Sequence, residues 1–157
     1  MAENGAIVYI TGRTLKGPYS IEQTTNEIKE RGGICIGKQV DHENDKQIEK
    51  LFEDIKAEQD GKLDILVNNA YKGVNTILEK RNLKFWEIEP QMWDDINGVG
   101  LRSHYICTVY AARLMVPNNQ GLIINISSLG GKFYFLSVPY GIGKAAVRIS
   151  KLNYLKF

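Results

Sequence analysis

Tyr140 and Lys144 stand four residues apart in VPYGIGK, so a helix through them puts both on one face. Upstream, the apolar run 122–126 ends in Ser127-Ser128, and Leu129-Gly130-Gly131 follows. A phenol beside an ammonium, with a hydroxyl delivered from a strand end, is a set of groups able to pass a proton to or from a substrate oxygen. Taken singly, each has a plainer use: a tyrosine at a core edge, a solvated lysine, a serine pair in a turn. Their joint occurrence at a strand end, a loop and a helix start points to a site.

Positioning those groups requires a scaffold, and the chain supplies one in order. Residues 6–11 (AIVYIT) are β-branched and aromatic, too short for a helix, and closed by Gly12, which predicts a buried strand. Gly17-Pro18-Tyr19 breaks the chain, and Ser20 with Gln23 three residues on has the spacing of a capping box. The helix that follows is expected to run to Arg31 and stop at Gly32-Gly33. Residues 34–40 are the second expected strand, ending at Asp41.

Asn44 is a candidate cap for the next helix, whose apolar positions Ile48, Leu51, Phe52 and Ile55 fall at helical spacing. Residues 63–67 form the third expected strand, leading into Asn68-Asn69-Ala70, whereas 71–89 show no clear period and predict an irregular segment. Pro90 fits the first turn of a long helix to Met115, and 122–126 are the fourth strand.

Apolar strands separated by amphipathic helices predict a parallel sheet covered on both faces, a doubly wound Rossmann-like α/β layer. Ligands of such sheets bind beyond the carboxyl ends of the strands. Arg13, Asp41, Asn68, Asn69, Ser127 and Ser128 all fall there.

Composition excludes more than it suggests. The chain has 157 residues, 43% of them apolar, and a net charge of +2, with Lys and Arg scattered and not gathered into a nucleic-acid-binding stripe. Two cysteines, Cys35 and Cys107, each within an apolar run, predict buried reduced thiols. Only His42 and His104 are available to join them as metal ligands, and each reads as a structural or surface residue. The first ten residues lack a basic start, and no apolar run reaches the roughly 18 residues of a membrane span. The expectation is a cytoplasmic protein, with membrane-surface association left open.

The run TGRTLKG at 11–17 invites reading as a phosphate loop. Such a loop needs closely spaced glycines so that backbone N–H groups can approach a pyrophosphate. Here Gly17 is followed by Pro18 and Tyr19, which remove a donor and add bulk, and no Gly-Lys-Ser/Thr ending is present. Arg13 is better read either as a solvated loop residue or as a partner for the 2′-phosphate of NADP.

Asp41, the run LVNNA at 66–70, NISS at 125–128 and YGIGK at 140–144, in that order and spacing, resemble the short-chain dehydrogenase/reductase family. The similarity extends from Ala6 to Val147. It implies a Rossmann-like fold in which residues 6–13 correspond to the strand ending in the cofactor-selecting residue. It also implies that the first β-α unit, with its TGxxxGxG loop and normally central strand, and the later C-terminal strands lack counterparts here. The chain is thus expected to be an internal fragment, a single partial dinucleotide-binding domain over 1–157 with a divergent tail at 148–157.

For chemistry, the resemblance implies hydride transfer between NADP(H), less readily NAD(H), and a carbonyl or secondary alcohol. Tyr140 would be the general acid/base, and Lys144 would lower its pKa from a reference of about 10 and hold the nicotinamide ribose. Ser128 would donate to the carbonyl oxygen, with Ser127 the alternative. Asn68, Asn69 and Ala70 would line the cofactor's ribose side, Asp41 its adenine and Arg13 its 2′-phosphate. Two positions depart from the family's pattern: Tyr71 replaces the glycine of NNAG, and Gly100 stands where a catalytic asparagine is usual. Asn97, three residues earlier, reads as lying close to the opposite side of the turn and is not taken as its replacement. The competing expectation is an inactive truncated isoform that at most associates with full-length subunits through the 90–115 helix.

Overall fold

A computed structural model of the chain describes the backbone of residues 1–153 and side chains as far as Ser150. Residues 154–157 of the expected divergent tail lie outside the described residues. The chain divides into two compact units, Met1–Leu51 and the residues from Phe52 onward.

In the first unit, β1 (Ile7–Gly12) pairs in parallel with β2 (Ile34–Gln39), from Ile7 opposite Ile34 to Gly12 opposite Gln39. The connection is α1 (Ile21–Glu30), which begins where its capping pattern predicts. Ser20 Oγ accepts from Gln23 N at 3.1 Å, and Gln23 Oε1 accepts in return from Tyr19 N at 2.8 Å. The return bond reaches one residue further back than in the usual capping box.

Helix α2 (Asp45–Glu58) contains the boundary between the units. Asn44 Oδ1 accepts from the backbone of Lys46 and Gln47 at 3.1 and 3.3 Å, as an N-cap does. Ile48, Leu51, Phe52 and Ile55 are buried.

In the second unit, β3 (Ile65–Asn68) pairs in parallel with β4 (Leu122–Asn125), Asn68 lying opposite Asn125. Among the described residues the ladders form two two-stranded parallel sheets, not one continuous sheet. Each strand of these sheets has a ladder partner on one side only among the described residues.

The segment expected to be irregular is partly helical: α3 (Val74–Lys80) and a 3-10 turn at Phe85–Glu87 lie within it. Its signal was weak because Gly73, the cap residue, has no side chain to announce a start, and only Ile77 of α3 is buried.

The single long helix expected over 90–115 is three successive segments. These are α4 (Met92–Asn97), a π-helical stretch Gly98–Ser103, and α5 (His104–Met115). The buried positions of α5 are His104, Cys107, Thr108, Ala111, Leu114 and Met115, at the three-to-four spacing of an inward stripe.

After β4, a 3-10 turn at Leu129–Gly131 leads to α6 (Val138–Asn153), which starts two residues before Tyr140. Cys35 and Cys107 are buried and unbridged. Among the described residues, no helix is long and apolar enough to cross a membrane, and no cluster of His, Cys, Asp and Glu could hold a metal ion.

Candidate active site

Each member of the proton-transfer set is fixed by a different local device. Ser137, buried just before α6, accepts from Tyr140 N at 3.4 Å and so caps the helix at the turn that carries the tyrosine. Lys144 lies one turn on and is only 8% exposed. Its Nζ donates to the carbonyl of Ile126 at 3.1 Å, immediately beyond β4. Burial lowers its pKa from the usual lysine value, because removing water disfavours the charged form.

The two serines separate cleanly. Ser127 Oγ donates to the carbonyl of Lys144 at 3.0 Å, tying the strand end to α6. Ser128 Oγ accepts from Gly130 N at 3.0 Å and caps the following 3-10 turn, which leaves its own proton available for donation. A Cβ on Gly130 would sit 2.5 Å from Tyr140 Cε1 and 3.5 Å from Ser128 Oγ. Only glycine therefore lets the backbone pass this close to the Tyr140 ring.

The pair Asn68-Asn69 divides in a similar way. Asn68 is 4% exposed, and its Nδ2 donates to Asn125 Oδ1 at 2.8 Å, Thr108 Oγ1 at 3.0 Å and His104 O at 3.4 Å. Its amide clamps β3, β4 and α5 together. Ala70 O meets His104 Nε2 at 3.0 Å, which gives that histidine the structural role its sequence position suggested.

Three residues of the site escaped sequence reasoning. Ser137 is one; its signal was an N-cap serine followed by Pro139 in the first helical turn. Asn97 is the second and requires a correction. It does not face away: it is 5% exposed, its Nδ2 donates to Pro139 O at 3.2 Å, and its Oδ1 packs directly on Gly143 of α6. The misreading was one of helical angle: residues three apart on an α-helix are only about 60° apart, so Asn97 and position 100 share a face. Tyr71 is the third. Its ring meets that of Tyr140 edge-on, centroids 6.1 Å apart at 81°, and Lys144 Nζ lies 4.9 Å from its centroid.

Arg13 and Asp41 belong to the first unit. There Asp41 Oδ1 accepts from Glu43 N at 3.0 Å, and Arg13 O accepts from Gln39 Nε2 at 2.8 Å.

A capped tyrosine, a buried lysine one turn on and a serine at a strand end, on parallel α/β structure, define a class. The family model for short chain dehydrogenases matches residues 1–150. The chain belongs to the short-chain dehydrogenase family, a family of oxidoreductases.

Among individual relatives, it is 52% identical over 146 residues to human dehydrogenase/reductase SDR family member 1, covering 93% of this chain and 46% of that protein. The mouse protein of the same name is 49% identical over the same shares. The chain thus spans about half the length of the curated relatives it matches. Of solved structures, a metagenomic short-chain oxidoreductase in complex with NADP superposes with a TM-score of 0.85 at 26% identity, over 98% of this chain and 65% of that one. The F189W actinorhodin polyketide ketoreductase with NADPH gives 0.79 at 26% identity, over 99% and 57%.

Proposed function

We propose that the second unit carries the acid–base site of an NADP(H)-dependent oxidoreductase that reduces carbonyls or oxidises secondary alcohols. The observation that carries this reading is the buried Lys144 ammonium, held by Ile126 O one turn from the capped Tyr140.

In the reducing direction, Tyr140 gives its phenolic proton to the carbonyl oxygen, and Lys144 supplies the positive charge that favours the resulting phenolate. Ser128 donates its hydroxyl proton to the same oxygen as negative charge develops there. In the oxidising direction, the phenolate takes the proton back.

The donor set fits a nicotinamide ribose. Lys144 carries three N–H groups, and among the described residues Ile126 O takes one. Asn69 and Ala70 would face the adenosine ribose, positioned by the Asn68 clamp behind them. Asp41 would contact the adenine, and Arg13 would favour the 2′-phosphate and hence NADP(H) over NAD(H). The cofactor, when bound, supplies or accepts the hydride. Two structural neighbours are described with NADP and NADPH, which supports this choice. The test is NADPH oxidation by the purified chain with small carbonyls, steroids and other lipid-like carbonyls as substrates. Turnover supports the reading, and its absence across that panel sinks it.

A second reading has its own observation. The sequence contains no TGxxxGxG loop, so nothing in it supplies the backbone N–H cradle that a pyrophosphate needs. On that reading the chain is inactive alone and at most associates with full-length subunits, α4 to α5 being the contact helix. Calorimetric titration with NADPH separates the two, because micromolar binding contradicts the inactive reading. A chain that stays monomeric in the presence of full-length protein contradicts association.

A further inference from the structure

Tyr71 and Gly100 both depart from the family's pattern, and the structure shows them touching. A Cβ on Gly100 would lie 2.7 Å from both Cδ2 and Cε2 of Tyr71. No side chain fits at position 100 while this ring is in place. The two departures are therefore one exchange. The ring rising from the end of the NNA run occupies the space over the π-helical stretch that an asparagine at position 100 would need.

The ring is also engaged with the reactive pair. Its edge-on contact with Tyr140 and the ammonium of Lys144 at 4.9 Å from its centroid bring one aromatic ring against both residues. Around it, Tyr71 packs against the buried cluster of Ile77, Met92 and Ile96, which fixes the ring plane. Its hydroxyl is buried with no hydrogen-bond partner among the described residues.

We propose that Tyr71 is a positioning residue for the Tyr140–Lys144 pair. Its ring replaces the helix asparagine and holds the lysine ammonium by a cation–π contact while setting the tilt of the catalytic phenol. This rests on the acid–base reading above. The aromatic ring, not the hydroxyl, carries the role, because the hydroxyl has no hydrogen-bond partner among the described residues.

The test uses the full chain labelled with ¹³C-lysine, the Lys144 signal being assigned with Lys144→Arg. A lysine over a ring face has its ε-methylene protons shifted upfield by the ring current. The expected result is an upfield Lys144 signal in the wild type, kept in Tyr71→Phe and lost in Tyr71→Leu. In carbonyl reduction, Tyr71→Phe is expected to keep kcat within about threefold. Tyr71→Leu is expected to lose about tenfold or more in kcat with KM little changed, the mark of an interaction made in the transition state.

An unshifted Lys144 signal in the wild type overturns the proposal without recourse to any variant. So does a signal that survives in a folded Tyr71→Leu. An upfield signal without turnover leaves the positioning standing and removes the functional reading. Turnover without the upfield signal does the reverse. A gain on pairing Tyr71→Gly with Gly100→Asn, measured as a higher Tm than Gly100→Asn alone, supports the exchange. No gain over the single variant overturns it.

Discussion

Ser127 Oγ donates to the backbone carbonyl of Lys144 at 3.0 Å, so the residue beyond β4 grips the turn of α6 that carries the lysine. The lysine returns the tie, its ammonium donating to Ile126 O at 3.1 Å. Strand end and helix are thus joined twice within two residues, and the geometry of the site is set by this join.

The two serines should accordingly fail differently. Ser127→Ala removes a helix–strand hydrogen bond and is expected to cost about 1 kcal/mol of stability. On the proposed function, Ser128→Ala removes a donor to the substrate oxygen and is expected to lower kcat by about a hundredfold. Urea unfolding and steady-state kinetics on both variants check this. A larger kcat loss in Ser127→Ala than in Ser128→Ala reverses the assignment.

Lys144 makes stability depend on pH. Burial lowers its folded pKa below the ordinary lysine value, so between the two values the unfolded chain binds more protons than the folded one. Stability therefore rises with pH across that window, and below it the penalty of the buried charge is felt in full. Lys144→Met, which removes the titration, should flatten this rise. Urea midpoints measured from neutral pH upward compare the two, and an identical slope in the variant contradicts the assignment.

Asn68 sends one amide nitrogen toward three oxygens, on His104, Thr108 and Asn125. Asn68→Ala is expected to cost about 1–3 kcal/mol, the penalty for leaving buried groups unpaired. Asn68→Asp should be worse still near neutral pH, because it turns a carboxylate oxygen toward other oxygens in a buried place. Thermal unfolding of both variants decides, and an aspartate variant more stable than the alanine variant would contradict the clamp.

What could be read from the sequence follows from how local each signal is. Ser20 with Gln23 and Asn44 with Gln47 announce their helices because a cap is a contact across three residues. The motif residues Ser128, Tyr140 and Lys144 were legible for the same reason, as spacing within a strand end and one helical turn. Helix α3 was not, because a glycine cap and a single buried position leave almost no pattern. The facing of Asn97 was misjudged because residues three apart on a helix share a face, and its partners on α6 meet it only in the packed structure. Tyr71 was visible as a departure but not as a partner. Its contacts with Gly100, Tyr140 and Lys144 join residues far apart in sequence, and only the packed structure brings them together.

The most direct measurement compares NADPH oxidation by the wild-type chain and by Tyr140→Phe with the same carbonyl substrate. Removing the proposed general acid while keeping the ring is predicted to lower kcat by about 10²–10⁴-fold, with the fold unchanged by circular dichroism. Wild-type turnover no faster than that of the folded Tyr140→Phe variant would contradict the account.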